Sequence, residues 1–150
     1  MSTLLVLRHA KAADGAGLAD ADRPLTERGR RDAAATGDWL RAQGLVPDAV
    51  LCSAAVRTRE TAAALNLGTA VTFDDGIYQS DAAALLRIVR EEGSGGTLLV
   101  IGHNPTVHQL VFDLTGGAPA SFPTSTLAVI DVDDPWTDLR TGTLRTLHTP

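Results

Sequence analysis

Short runs of aliphatic residues alternate along this chain with longer stretches in which apolar residues recur every three or four positions. The short runs are typical of buried β-strands, and the longer stretches are typical of amphipathic helices. The predicted strands are Leu4–Leu7, Ala49–Cys52, Ala70–Phe73, Leu98–Ile101, Leu127–Val132 and Thr143–Leu147. The predicted helices are Thr26–Gln43, Arg57–Leu65, Ala82–Glu92 and Asn104–Leu114. This alternation predicts an α/β fold in which a mostly parallel central sheet is covered by helices on both faces.

Two of the runs, Leu4–Leu7 and Leu98–Ile101, are aliphatic at every position, which is typical of strands at the centre of a parallel sheet. The pattern changes after Gly116-Gly117, where the last two strands follow each other without a clear helix between them. We therefore predict that these two strands lie at an edge of the sheet and that they include an antiparallel strand.

Local signals predict where the helices begin and end. Thr26 is suited to cap the amino end of the first helix, and Gly44 is suited to end it. Asn104 followed by Pro105 predicts that the fourth helix begins with an asparagine cap and a proline at its first position.

The composition limits the classes of function open to the chain. Its 150 residues are 44% hydrophobic, carry a formal charge of -5 and predict one globular domain over residues 1–150. No run of Lys and Arg exceeds two residues, which argues against nucleic acid or an anionic membrane as the main partner. Cys52 is the only cysteine, so an intrachain disulfide and a multi-cysteine metal site are both excluded. Because no convincing signal peptide or membrane-spanning stretch is present, a cytoplasmic protein is expected.

Basic side chains follow three of the predicted strands at the point where each strand ends. Arg8 and His9 come after the first strand, Arg57 follows the second strand within a short loop, and His103 follows the fourth. In open α/β sheets, ligands bind beyond the carboxyl ends of the strands. We therefore expect these two arginines and two histidines to lie together at one edge of the sheet.

This combination of side chains is suited to a phosphoryl group. The planar guanidinium matches phosphate oxygens and keeps its charge, whereas histidine titrates near neutral pH. One histidine can therefore act as a neutral nucleophile while the other, protonated, donates to the phosphate. The two histidines could instead bind a metal ion, but the adjacent arginines disfavour this alternative because cations repel one another.

The assignments of four other polar residues remain open at this point. Ser53 is suited either to bind phosphate or to cap the turn that follows it. Lys11 either widens the positive field or is simply solvated. His108 and His148 lack comparable sequence context and are interpreted as structural or surface residues.

Four motifs resemble those of the histidine phosphatase superfamily, which is also called phosphoglycerate-mutase-like, and within it the short SixA-type phosphohistidine phosphatases. They are LRHAKA near the start of the chain, DRPLTERGRRDA at Asp22–Ala33, SAAVRTRETA at Ser53–Ala62 and VIGHNP at Val100–Pro105. The resemblance implies a three-layer α/β/α sandwich, in agreement with the alternation of strands and helices.

The resemblance also implies roles for the matching residues. His9 would be the nucleophile that becomes phosphorylated, and water would then hydrolyse the phosphohistidine intermediate. The phosphate pocket would be completed by Arg8, Arg57 and His103, with Asn104 and Ser53 contributing to substrate binding. No metal and no other cofactor would be needed.

Departures from the family pattern bear on the substrate. Ala10 replaces the usual glycine after the first histidine, and Ala54 replaces a proline. Phosphoglycerate-mutase-like members have an acidic proton donor, usually glutamate, after the third strand, whereas this segment reads FDDGIYQSD. Acid-phosphatase-like members have aspartate where this chain has Asn104. The proton donor is therefore unassigned, with Asp74, Asp75 and Asp81 equally suited to be turn residues.

The missing acid favours a phosphohistidine substrate. An alkoxide leaving group requires protonation, whereas imidazole leaves as a weak base whose conjugate acid has a pKa of about 6.5. The chain is also short, with little material for a lid over a small metabolite. We therefore expect phosphohistidine on a partner protein as the substrate. Alternatives are a small phosphate ester or anhydride, such as a sugar phosphate or nucleotide, and, less favoured, a non-catalytic phosphoprotein-binding module.

Overall fold

The computed structural model describes all 150 residues and contains six strands and five helices. The strands are β1 Ser2–Arg8, β2 Ala49–Ser53, β3 Val71–Asp74, β4 Thr97–Gly102, β5 Leu127–Val132 and β6 Thr143–His148. The helices are α1 Glu27–Ala42, α2 Val56–Leu65, α3 Asp75–Tyr78, α4 Ala82–Glu92 and α5 Thr106–Thr115. Two single-turn 3₁₀ helices lie at Asp20–Asp22 and Trp136–Asp138. Every predicted strand and helix has a counterpart, whereas α3 and the 3₁₀ helices were not predicted.

All six strands form one sheet in the order β3-β2-β4-β1-β5-β6. The four strands β3, β2, β4 and β1 are parallel to one another, whereas β5 runs antiparallel to both β1 and β6. The prediction that β1 and β4 are central is confirmed, and so is the antiparallel strand. The prediction of an edge position is wrong for β5, because this strand lies between β1 and β6 and its residues Leu127–Ile130 are fully buried.

The aliphatic strands are buried on both faces, which makes the structure a three-layer α/β/α sandwich. On β1, Leu4 and Val6 pack into the cluster that also contains apolar residues of α3, α4 and α5. The alternating residues Leu5 and Leu7 pack on the opposite face, against residues of α1 and α2. This division follows from the two-residue period of a strand and confirms the predicted fold class. None of the helices is long and apolar enough to cross a membrane.

Helix α1 lies close to both the loop after β1 and the end of α2. Its amino end is capped as predicted, because the Thr26 hydroxyl accepts a hydrogen bond from the Gly29 amide at 3.0 Å. A Cβ atom at Gly37 would lie only 2.0 Å from the Leu65 carbonyl oxygen, so glycine is required for this approach. The helix ends before Gly44, whose positive φ of 68° fits the predicted glycine stop.

The predicted asparagine cap of α5 is wrong. The capping residue is Pro105, and no side chain accepts a hydrogen bond at this helix end. The Asn104 side chain turns instead to the loop before β5, where its Nδ2 donates to the Phe122 carbonyl oxygen at 2.7 Å. The hydrogen-bond partner of Asn104 therefore lies in a loop distant in sequence, and not in the helix that follows it.

Candidate active site

The carboxyl ends of β1 and β4 hold the first candidate residues by backbone hydrogen bonds. The His9 amide donates to the Gly102 carbonyl oxygen, and the Arg8 amide donates to the Thr126 carbonyl oxygen, both at 3.1 Å. The Ser125 amide donates in turn to the carbonyl oxygen of His9 at 3.1 Å. Arg8 and His9 are thus held between β4 and the segment that leads into β5.

The environment of His9 fixes both its protonation and its tautomer. Its side chain is 7% exposed, and its Nδ1 lies 2.7 Å from the Ala10 carbonyl oxygen. Because a carbonyl only accepts, Nδ1 carries the proton and Nε2 keeps its lone pair. The pKa of His9 is lowered to about 4, mainly by burial and also by the charges of Arg57 and Arg8, while the hydrogen bond to Ala10 opposes this lowering. At neutral pH, Nε2 is therefore a free nucleophile.

His103 lies opposite the nucleophile, with its ring centroid 5.4 Å from that of His9. Its Nε2 is 2.8 Å from the Ser53 hydroxyl oxygen, and its Nδ1 is buried without a partner. The pKa of His103 is lowered to about 3, mainly by burial and also by the charge of Arg57. Both imidazoles are therefore neutral at pH 7 in this structure, whereas the sequence predicted one protonated histidine. A phosphate dianion opposes the arginine charges and favours protonation of His103.

Ser53 makes the capping contact that was one of its two predicted roles, whereas phosphate binding by Ser53 stays a prediction. Its hydroxyl oxygen lies beside His103 and also accepts a hydrogen bond from the Ala55 amide at 3.3 Å, in the turn before α2. It is completely buried. Ser53 thus orients His103 and caps the following turn at the same time.

Asp20 holds the Arg57 side chain in place by two hydrogen bonds. The two terminal nitrogens of Arg57 donate to the backbone carbonyl oxygen of Asp20 at 2.7 Å and to the carboxylate Oδ2 at 3.0 Å. The Tyr78 hydroxyl donates to the same Oδ2 at 2.5 Å, and the Tyr78 ring packs edge-on against His103 at 5.3 Å. Hydrogen bonds from Tyr78, Arg23 and Arg57 hold the pKa of Asp20 well below its usual range, so its carboxylate is ionised.

Arg8 and Asn104 share one acceptor on the other side of the site. The Phe122 carbonyl oxygen accepts from Arg8 Nη1 at 3.2 Å and from Asn104 Nδ2 at 2.7 Å. Arg8 Nε and Asn104 Oδ1 are buried without a hydrogen-bond partner in the protein, like His103 Nδ1. Burial lowers the pKa of Arg8, and the nearby charge of Arg57 adds to this effect. Unpartnered buried polar groups are rare, and their concentration here is what a polar ligand site requires.

The six candidate residues of the sequence are thus brought to one edge of the sheet. The site contains the neutral imidazole of His9 close to the guanidinium groups of Arg8 and Arg57, together with His103, Ser53 and Asn104. Such a site can bind a tetrahedral dianion and receive a phosphoryl group on His9 Nε2. No group of three or more His, Cys, Asp or Glu side chains is arranged to hold a metal ion.

The aspartates of the segment after β3 differ in their contacts. The Asp74 carboxylate accepts from the Gly76 amide at 2.8 Å, and the Asp81 carboxylate accepts from the Ala84 amide at 2.8 Å. Both are therefore helix caps. The exposed Asp75 side chain instead lines a cavity next to Tyr78.

The other polar residues weighed from the sequence lie apart from this geometry. The Lys11 side chain is exposed. His108 Nε2 donates to the Pro119 carbonyl oxygen at 2.7 Å, and the His148 ring stacks on Trp39 at 4.3 Å. These contacts fit the structural role expected for both histidines.

Sequence reasoning missed Asp20 and Tyr78. Asp20 lies in the 3₁₀ helix Asp20–Asp22 and Tyr78 in the four-residue helix α3, and both elements are too short for a helical period. The only available signals were the single tyrosine of the chain and the Asp-rich segment before Arg23. Neither signal indicates which arginine the segment would contact.

Comparison with known proteins places this arrangement in a family. Residues 4–82 match the family model of the histidine phosphatase superfamily (branch 1). An uncharacterized protein of Mycobacterium tuberculosis is 39% identical over 91% of this chain and 93% of its own length. Phosphohistidine phosphatase SixA of Escherichia coli is 31% identical over 87% of this chain and 86% of its own.

Solved structures agree with the sequence relatives. The structure of a putative phosphohistidine phosphatase SixA from Nakamurella multipartitia superposes with a TM-score of 0.90 at 33% identity, covering 99% of this chain and 96% of that one. The family model spans more than half of the chain, and the relatives span most of it. The chain therefore belongs to branch 1 of the histidine phosphatase superfamily, is of the SixA type within it, and is a phosphatase.

Proposed function

We propose that this phosphatase hydrolyses phosphohistidine on a partner protein, in two steps and without a metal ion. The observation that carries the proposal is the state of His9. Its Nδ1 proton is committed to the Ala10 carbonyl oxygen, so Nε2 faces the reaction with a lone pair, beside Arg8 and Arg57. The E. coli relative named as a phosphohistidine phosphatase supports the same substrate class.

In the first step, His9 Nε2 forms a bond to phosphorus while the bond from phosphorus to the substrate nitrogen breaks. The electron pair of the broken bond stays on the substrate, which leaves as neutral imidazole when its other ring nitrogen carries a proton. Arg8 and Arg57 stabilise the charge on the equatorial oxygens, and His103 donates to one of them after protonation.

In the second step, water attacks phosphorus and the bond to His9 Nε2 breaks. The electron pair returns to Nε2, the protons of water stay on the phosphate, and dihydrogen phosphate leaves. His9 thus returns to the neutral Nδ1-protonated tautomer that the Ala10 carbonyl oxygen favours.

The distribution of acids supports phosphohistidine over an ester. Asp74 and Asp81 are occupied as helix caps, and Asp20 is held ionised by its three donors. The hydrogen bond to Asp20 raises the pKa of Tyr78, so its hydroxyl keeps its proton. The remaining aspartate, Asp75, is exposed, so no buried acid faces an alkoxide leaving group, and such an acid matters less for imidazole. The cytoplasmic location and the single domain over residues 1–150 stay predictions.

A substrate panel tests the proposal, using a phosphohistidine protein, phenyl phosphate, a sugar phosphate and a nucleotide. We expect the phosphohistidine protein to have the highest kcat/KM, His9→Ala to abolish turnover, and a chelator to leave turnover unchanged. His148→Ala, which removes an imidazole outside the site, is the matched control. An acid-labile, alkali-stable phosphoenzyme should form on the wild type alone.

Different outcomes would contradict different parts of the proposal. Turnover that survives His9→Ala would exclude His9 as the nucleophile. Loss of turnover on chelation would instead support a metal-dependent mechanism. A sugar phosphate or nucleotide hydrolysed far faster than the phosphohistidine protein would refute the substrate while leaving the chemistry intact.

A further inference from the structure

A cavity of about 500 Å³ lies beside the phosphate site and has a different chemical character. Its walls are small residues and three longer polar side chains: Ala21, Ala54, Ala55, Asp75, Tyr78 and Gln79. Neither the nucleophile nor either arginine lines it. We call it the side cavity.

The side cavity shares a wall with the phosphate site. Tyr78 lines the cavity, while its ring contacts His103 and its hydroxyl donates to the Asp20 carboxylate that holds Arg57. Ala54 directly follows Ser53, whose hydroxyl oxygen lies 2.8 Å from His103. A phosphorylated group that presents its phosphate to His103 and Arg57 would therefore place its remaining atoms towards this cavity.

The charge of the side cavity is opposite to that of the phosphate site. Its lining contains no Lys, Arg or His, and its one charged side chain is the carboxylate of Asp75. Asp75 is exposed, whereas its neighbours Asp74 and Asp81 are occupied as helix caps. A leaving group with its own carboxylate or second phosphate would be repelled here, and one with an N–H donor would be attracted.

We propose that the side cavity binds the leaving group and that Asp75 selects phosphohistidine by accepting a hydrogen bond from the free ring N–H of the substrate imidazole. This inference rests on the proposed function. The hydrogen bond keeps the proton on that nitrogen while the bond to phosphorus breaks, so neutral imidazole leaves rather than the far more basic imidazolate. A volume of about 500 Å³ also leaves room for residues that flank the phosphohistidine. Asp75 is thus a specificity residue that touches the substrate.

Three substrates and two variants test the assignment. The substrates are a peptide with phosphohistidine between neutral residues, phenyl phosphate, and 4-carboxyphenyl phosphate, which adds one carboxylate to the second. The variants are Asp75→Asn and Asp75→Lys. The control is Glu92→Gln, which removes one negative charge at the end of α4.

We expect Asp75→Asn to lower kcat/KM for the phosphohistidine peptide by about threefold to tenfold, the range for an exposed charged hydrogen bond. Phenyl phosphate should change less than twofold. The pH at which kcat/KM for the peptide declines should move down in Asp75→Asn, because the carboxylate no longer raises the pKa of the substrate ring. Asp75→Lys should raise the ratio of kcat/KM for 4-carboxyphenyl phosphate to phenyl phosphate by about fivefold.

Failure of this inference is distinguishable from failure of the proposed function. Hydrolysis of the peptide that is unaffected by both variants, or equally affected by Glu92→Gln, would overturn the role of Asp75 and leave the function standing. A wild-type enzyme that hydrolyses phenyl phosphate but not the peptide would overturn the phosphohistidine assignment and the hydrogen bond with it. Circular dichroism of each variant separates these outcomes from unfolding.

Discussion

Replacing Asp20 with asparagine removes one negative charge from the wall of the phosphate site while keeping the shape of the side chain. The Asp20 carboxylate lies 3.0 Å from Arg57 Nη2. The asparagine Oδ1 can still accept from Tyr78 and Arg57, whereas the amide nitrogen cannot accept the hydrogen bond that Arg23 donates to Asp20 Oδ1, so Asp20→Asn removes the charge together with that one exposed contact. The expected result is tighter binding of phosphate.

The size of this effect follows from the distance between the charges. A phosphate dianion bound to Arg57 would lie about 6 Å from the Asp20 carboxylate. At a half-exposed position, the repulsion between these two groups weakens phosphate binding by about 1 kcal/mol after screening. We therefore expect Asp20→Asn to lower the inhibition constant of inorganic phosphate about fivefold. If release of phosphate limits turnover, kcat should fall while KM also falls.

Competitive inhibition by inorganic phosphate, with phenyl phosphate as the substrate, measures the effect directly. Asp22→Asn is the matched control, because Asp22 is an exposed aspartate in the same 3₁₀ helix and makes no side-chain hydrogen bond or ion pair. The difference between the variants should shrink as salt is raised. An inhibition constant that does not change in Asp20→Asn, or that changes equally in Asp22→Asn, would refute the reasoning.

Two further predictions concern stability. Acidification should destabilise the fold, because His9 and His103 have pKa values of about 4 and about 3, whereas histidines in the unfolded chain bind protons near pH 6.5. In urea denaturation, protonation of His9 alone should lower the free energy of unfolding by roughly 3 kcal/mol as the pH falls from about 7 to 4. This contribution to the pH dependence should be absent from His9→Asn. Gly37→Ala should lower Tm and cost about 1–3 kcal/mol, since its Cβ would meet the Leu65 carbonyl oxygen. An unchanged Tm would contradict that close packing.

The central part of the fold could be predicted because its residues carry a strong local signal. The aliphatic residues of β1 and β4 need burial on both faces, and this requirement places them in the middle of a covered parallel sheet. The rule that strand ends converge then brings His9, Arg57 and His103 together, although they are far apart in sequence. These predictions depend on the strands alone.

The predictions that failed depend on where loops run. The Asn104 side chain finds Phe122 in a loop that no local pattern connects with α5. The same loop leads into β5, which pairs with β1 on its free side and is therefore internal rather than an edge strand. Asp20 contacts Arg57 across a separation of 37 residues, which no local pattern predicts. Long-range pairing, rather than propensity, decided all three.

The backbone bonds of Arg8 and His9 have a consequence for the dynamics of the site. Both residues lie at the end of the strand that is hydrogen-bonded on both sides, to β4 and to β5, so their amides should exchange with deuterium only through global unfolding. Asp20 lies on an exposed loop that can open locally at much lower cost. His9 is therefore held rigidly by the sheet, while the segment that contacts Arg57 can move.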